Sequence, residues 1–186
     1  MIITPEGSHN TIPGVPWCAD NGCYTLGDRF NPDKYKRFLD RKWNDDVLFA
    51  TAPDVVGDAK ATLERSESWF DELSSRGYPP ALVAQDGVEN MMDEIPWDQI
   101  RAWFIGGSTA WKESADAADC ATEALKRGCH LHMGRVNSFR RLRLAAAIRC
   151  DTVDGNFLAF GPTVNLPKLL KWMNFIDLQP TFDWVE

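Results

Sequence analysis

Short apolar runs alternate with stretches of helical periodicity along the whole chain. Ile2-Ile3, Trp17–Ala19, Val47–Thr51, Ala81–Ala84, Trp103–Ile105, Cys129–Met133, Cys150–Val153 and Phe157–Phe160 all have strand length. The Val47–Thr51 run does not alternate, as expected of a strand covered on both faces. Between these runs, Pro32 to about Trp43 predicts a helix, with Tyr35, Phe38, Leu39 and Lys42 at helical spacing. A second helix is capped by Asp58, carries Ala59, Leu63, Phe70 and Leu73 on one face, and stops at Gly77. Residues 114–127 read as an alanine-rich helix closed by Gly128. A further helix is expected from about Ser138 to Arg149. The last has Asn165 as its cap and Pro167 in its first turn, and reaches about Asn174. The link containing Met91, Met92 and Pro96 is poor in helix signals, and the tail 175–186 is expected to dock through its aromatic side chains.

The segment from Cys129 to Gly155 organises this pattern. A strand, a Gly134–Ser138 turn, a helix and a second strand ending at Asp154-Gly155 make a βαβ unit, with parallel strands and a right-handed crossover. Functional groups in parallel α/β folds gather where strands end. Here the strand ends carry Asp20-Asn21-Gly22, Asp54, Gln85, Gly106-Gly107, Gly134-Arg135 and Asp154. Such a set is expected on the catalytic face of a (β/α) barrel. The chain has 186 residues, whereas a full barrel usually takes about 200 or more. The first expectation is therefore a compact (β/α)8 TIM-type barrel, shortened or incomplete, in a single domain over residues 1–186. An open doubly wound sheet is the second.

Composition narrows the class. The chain is 44% hydrophobic and holds 8 Trp and 10 Phe, which suits a sizeable core and argues against disorder. No apolar run is long enough to span a bilayer, and the N-terminus MIITPEGS lacks the features of a signal peptide. A cytoplasmic protein without membrane partners is expected. The 5 cysteines include no CxxC pair, so neither a disulfide framework nor a zinc site is indicated, and no metal is expected. The Cys18/Cys23 and Cys129/His130/His132 groupings read more simply as buried and alternating positions. A net charge of −7 does not favour a polyanion globally. Locally, however, Arg135, Arg140, Arg141, Arg143 and Arg149 cluster in the central unit and suit phosphate groups. A second basic stretch, Lys34 to Lys42, is explained at least as well by a solvated helix face.

Asp20 and Asp154 are the candidates for acid/base and nucleophile. A carboxylate at a strand end can attack an electrophilic sugar carbon while a second carboxyl group handles the proton of the departing or incoming group. A single turn aspartate most simply caps its own backbone, so it is the convergence of polar groups on one face that carries the idea. Asp54 and Gln85 can read the edge of a flat heterocycle. Gly106 and Gly107 leave backbone groups open to it, although a tight turn would explain them too. Arg135 and Asn137, with Arg140 and Arg141, are candidates for holding phosphate near a helix N-terminus; helix capping by Asn137 or Ser138 is the alternative. Met91, Met92 and Trp111 are either pocket or core.

ADNGCY at 19–24, PDVVGDA at 53–59, VAQDG at 83–87, FIGGST at 104–109, HMGRVNS at 132–138 and DTVDG at 151–155 together resemble the tRNA-guanine transglycosylase superfamily. The likeness is greatest to its small phage and bacterial members near the 7-deazaguanine DNA-modification (DpdA-like) branch, and spans about residues 17–173. The resemblance implies a (β/α)8 barrel that exchanges guanine in nucleic acid for a 7-deazaguanine, without a cofactor. It implies Asp154 as nucleophile at ribose C1′, Asp20 as general acid/base, and Asp54, Gln85, Gly106 and Gly107 as base-recognising groups. Two departures stand out: the Cys-rich zinc motif is missing, and the chain is about half the usual length. Both favour DNA over tRNA as partner, beside the free 7-deazaguanine base. Pairing of subunits into a homodimer stays open, as do an N-glycoside hydrolase and a non-catalytic nucleobase- or nucleotide-binding protein on the same scaffold.

Overall fold

The computed structural model describes residues 1–7 and 9–177. Seven strands, β1 (Ile2–Ile3), β2 (Trp17–Ala19), β3 (Val47–Thr51), β4 (Pro80–Ala84), β5 (Ala102–Ile105), β6 (His130–Met133) and β7 (Thr152–Val153), form one sheet. All are parallel, and their order across the sheet is their order in the chain. The order never reverses, so the sheet lacks the switch point of a doubly wound fold. With crossovers of one hand, the helices collect on one face and the sheet curls away from them as a half-barrel.

The helices are α1 (Cys23–Leu26), α2 (Pro32–Lys42), α3 (Ala59–Ser75), α4 (Thr109–Lys112), α5 (Ala115–Lys126), α6 (Phe139–Ala147) and α7 (Pro162–Asp177). The side chains of Asn31, Asp58, Ser108, Ser114 and Ser138 cap α2 to α6 by accepting a backbone N–H of the first turn. Residues alternate between two cores. Trp17, Ala19, Leu82, Ala84, Trp103, Ile105, Leu131 and Met133 face the helices in the main core. Cys18, Phe49, Ala81 and Ala102, with Ile2, Leu48 and Phe104 against them, fill the concave side. None of the helices is long and apolar enough to cross a membrane among the described residues.

Among the described residues the sheet does not close. β1 and β7 each have a single neighbour. Leu169, Trp172 and Met173 of α7 stand over the opening and, with Ile2, Cys18, Leu48 and Phe157, line a cavity of about 590 Å³. Around it, Phe160, Val164, Leu166, Leu170 and Phe175 are exposed.

Two expectations fail at this end of the chain. Phe157–Phe160 is a turn rather than a strand. Its backbone is held by side chains instead of a ladder: Asn137 Oδ1 accepts from the N–H groups of Asn156 (2.7 Å) and Phe157 (3.1 Å), and Asn165 Nδ2 donates to the carbonyls of Phe157 and Phe160. Asn165 is therefore a lock on the preceding turn and not a cap. The helix instead begins at Pro162, a residue preset for a first turn, and Pro167 lies inside it. Of the tail, residues 178–186 lie outside the described residues.

Candidate active site

Every strand end except that of β1 brings at least one candidate residue toward a single cavity of about 560 Å³ on the rim of the half-barrel, a size usual for a small-molecule pocket. Asp20, Asp54, Gln85, Gly106, Arg135, Asn137 and Asp154 line it, together with Tyr24, Phe104 and Gly155. Gly107, Arg140 and Arg141 do not.

One wall follows β2, β3 and β4. Asp20 sits where the chain turns through Gly22, whose φ of 82° is open to glycine at little cost. Its Oδ1 accepts the Gly22 N–H at 3.1 Å. Burial pushes the Asp20 carboxyl up to about 6; the Gly22 N–H opposes this, and the charges of Asp54 and Asp154 add to it. Asn21, next in the chain, is buried and ties the end of β2 to the end of β3. Its N–H and Nδ2 donate to Thr51 Oγ1 (2.9 Å each), and Nδ2 also reaches Ala52 O (2.9 Å) and Asp54 Oδ1 (3.1 Å). Gln85 Nε2 donates to Asp54 Oδ2 at 2.7 Å, while Gln85 Oε1 accepts from Gly57 N at 2.9 Å. Both oxygens of Asp54 thus meet an amide. Burial raises the Asp54 pKa, against the hydrogen bonds from Asn21 and Gln85.

The opposite wall follows β6 and β7. Asp154 Oδ1 lies 3.1 Å from His132 Nε2 and accepts the Arg135 N–H at 3.2 Å. Its Oδ2 makes no hydrogen bond to the described residues. Arg135 adopts φ 61°, a left-handed conformation that costs a non-glycine residue about 1–2 kcal/mol. The turn so formed sends the guanidinium across the cavity. There it donates to the carbonyls of Gly106 (2.8 Å) and Gly107 and lies 4.4 Å from the centroid of the exposed Tyr24 ring. Lys112, buried beneath this turn, donates to Gly134 O at 2.8 Å. Burial, with Arg135 and Arg141 nearby, brings its ammonium down to about 8.

Several candidates do work other than that expected of them. Gln85 keeps one amide N–H for a ligand, because its carbonyl is taken by Gly57. The backbone of Gly106 and Gly107 is not open: both N–H groups bond Ala84 O, at 2.9 and 3.0 Å, and both carbonyls hold Arg135. What demands glycine is packing. A Cβ on Gly106 would meet Val83 Cγ1 at 2.6 Å, and one on Gly107 would meet Asp86 Oδ2 at 2.8 Å. Asn137 anchors the turn after β7. Arg141 bonds Arg135 O, Thr109 Oγ1 and Glu113 (3.2, 3.2 and 3.3 Å), so its guanidinium holds the loop. Arg140 pairs with Glu113 at 2.7 Å and is otherwise in solvent. Met91 and Met92 pack against the main core, and Trp111 Nε1 bonds Glu89 at 2.9 Å. Burial pushes the thiols of Cys18 and Cys23 up to about 12, so neither supplies a thiolate.

Tyr24 and Lys112 were given no role by the sequence; Asn21 entered only as part of the Asp20-Asn21-Gly22 strand end, and His132 only in a grouping read as buried. For His132 the signal was present: in a strand, alternate residues share a face, and the His130-Leu131-His132 spacing puts both imidazoles on the concave side. The chain matches no family model and no curated protein, so the chemistry has to follow from the cavity's own groups.

Proposed function

We propose that the chain is an N-glycosyl transferase of the tRNA-guanine transglycosylase type on a shortened (β/α) barrel, exchanging a purine base, guanine, in nucleic acid for a 7-deazaguanine, with DNA ahead of tRNA as the polymer. One observation carries this reading: Asp20 and Asp154, far apart in sequence, line one cavity with Asp54 and Gln85 between them, and are close enough for the charge of Asp154 to help raise the pKa of Asp20.

In the first half-reaction Asp154 Oδ2 attacks C1′. The C1′–N9 bond breaks with its electrons going to the base, and Asp20, protonated below about pH 6, delivers the proton to the departing nitrogen. In the second half, the incoming base gives its N9 proton to Asp20 and N9 attacks C1′. The ester bond then breaks and its electrons return to the Asp154 carboxylate. Asp54 and the remaining amide N–H of Gln85 meet the edge of the ring. The Gly106 and Gly107 carbonyls join them only if Arg135 swings aside. The target nucleotide has to be unpaired or flipped out, since a stacked base does not reach a recessed rim.

The test is a denaturant-resistant protein–nucleic acid adduct, sought with single-stranded guanine-containing DNA and RNA in parallel. Wild type should form it and Asp154→Asn should not, while keeping the wild-type circular dichroism spectrum. Normal base exchange by the Asn variant would remove Asp154 as nucleophile. Release of an abasic product when no free base is supplied would make the protein a hydrolase.

A further inference from the structure

A line of side chains runs away from Asp154 along the concave face, and the proposed reaction as written gives it no part. His132 Nε2 lies 3.1 Å from Asp154 Oδ1, and His132 Nδ1 lies 2.8 Å from Thr152 Oγ1. The same hydroxyl lies 2.8 Å from His130 Nε2. At the far end His130 Nδ1 is 3.9 Å from Asp151 Oδ2, which accepts the Leu131 N–H at 2.7 Å. The pairing of β6 with β7 sets Thr152 beside His132. His132 is 2% exposed and packed against Phe104 and Phe49, with ring centroids 4.5 and 5.3 Å away.

Counting protons gives the line a direction. A threonine hydroxyl has one proton, so between two imidazole nitrogens it donates to one and accepts from the other. An ionised Asp154 requires a proton on His132 Nε2. In a neutral ring this leaves Nδ1 bare, so Thr152 donates to His132 and accepts from His130 Nε2–H. The reverse direction would turn a bare His132 nitrogen toward the carboxylate.

We propose that His132 is the positioning residue of Asp154. Held by Thr152 and His130, it fixes one carboxylate oxygen with an N–H donor and thereby presents the other, Oδ2, to the cavity. Its kinetic consequence rests on the glycosyl-transfer reading; its structural content does not. When Oδ2 bonds to C1′, Oδ1 becomes the ester carbonyl and keeps both N–H donors. When the ester breaks, the same donors meet the returning charge. At metal centres, removal of the partner that orients a ligand costs about 10–100-fold, and a loss of that order is expected here.

The sequence has only 3 histidines, so the rings can be followed individually by long-range ¹⁵N–¹H correlation on the labelled full chain. At pH 7.5 both His132 and His130 should appear as Nε2–H tautomers. Thr152→Val should leave His132 so and release His130 into a tautomer mixture. A wild-type His132 protonated on Nδ1 alone, or a His130 indifferent to Thr152→Val, overturns the proposal. In the adduct assay, His132→Phe keeps a ring without the donor and should be slowed about 100-fold, whereas His132→Gln restores an N–H and should come within about tenfold of wild type. Equal rates for Phe and wild type, or for Phe and Gln, also overturn it. If wild type forms no adduct at all, the glycosyl-transfer reading has failed, and the tautomers alone decide whether His132 orients Asp154.

Discussion

Along β2, β3 and β4 the carboxyl groups of the cavity are surrounded by amides; along β6 and β7 the single carboxylate is met by an imidazole and the backbone N–H of an arginine. The difference is one of freedom. Asp20 gains one backbone N–H and two nearby negative charges, so burial leaves its proton easily exchanged near pH 6. Asp154 has one oxygen that accepts the Arg135 N–H and lies beside His132 Nε2, while the other is unengaged among the described residues. A group that must pass a proton back and forth belongs on the first wall, and one that must hold a fixed line of attack belongs on the second.

The comparison breaks most sharply at Asp154, the proposed nucleophile. Asp154→Asn should lower adduct formation by about 10⁴-fold or more, measured in single turnover, with the fold intact. Asp20→Asn should lower it by about 10²–10⁴-fold and leave Asp154 able to react slowly. Equal losses in the two variants would erase the division of labour between the walls.

Stability should reverse the order of these effects. The folded-state pKa of Asp20 is raised from 3.8 to about 6, so its contribution to folding is present below pH 4 and is lost as pH rises through 6. Asp20→Asn should therefore stabilise the protein at pH 7.5 by on the order of 1–2 kcal/mol, several degrees in Tm, and the gain should vanish at pH 4. Asn21→Ala unties Thr51, Ala52 and Asp54 together and should cost about 1–3 kcal/mol in a urea titration. The smallest change is expected at Arg140, whose side chain is 81% exposed in its pair with Glu113. Arg140→Ala should move the urea midpoint by less than about 1 kcal/mol equivalent.

The strands were legible because each is a short apolar run, and the caps of α3 and α6 because a short oxygen-bearing side chain stood before each helix. The bringing together of Asp20, Asp54, Gln85 and Asp154 could be anticipated from the parallel pattern, since such folds gather their strand ends on one side. Non-local hydrogen bonds hid the rest. Phe157–Phe160 has strand composition, yet Asn137 and Asn165 bend it into a turn. Gly106-Gly107 has the look of an open backbone, yet Arg135 reaches it from another loop. Nothing in local spacing says where an arginine side chain will end. The left-handed turn at Arg135 is equally silent in sequence, because it depends on Asp154 accepting the Arg135 N–H and on Lys112 rising beneath Gly134.

The unclosed sheet has one further consequence. A parallel sheet that stops short exposes two rims of unpaired amide and carbonyl groups, which is how proteins come to stick edge to edge. Among the described residues both outermost strands, Ile2–Ile3 and Thr152–Val153, are only two residues long, too brief to template a foreign ladder. Their shortness guards the molecule against fibrillar growth at the side where its ring of strands is incomplete.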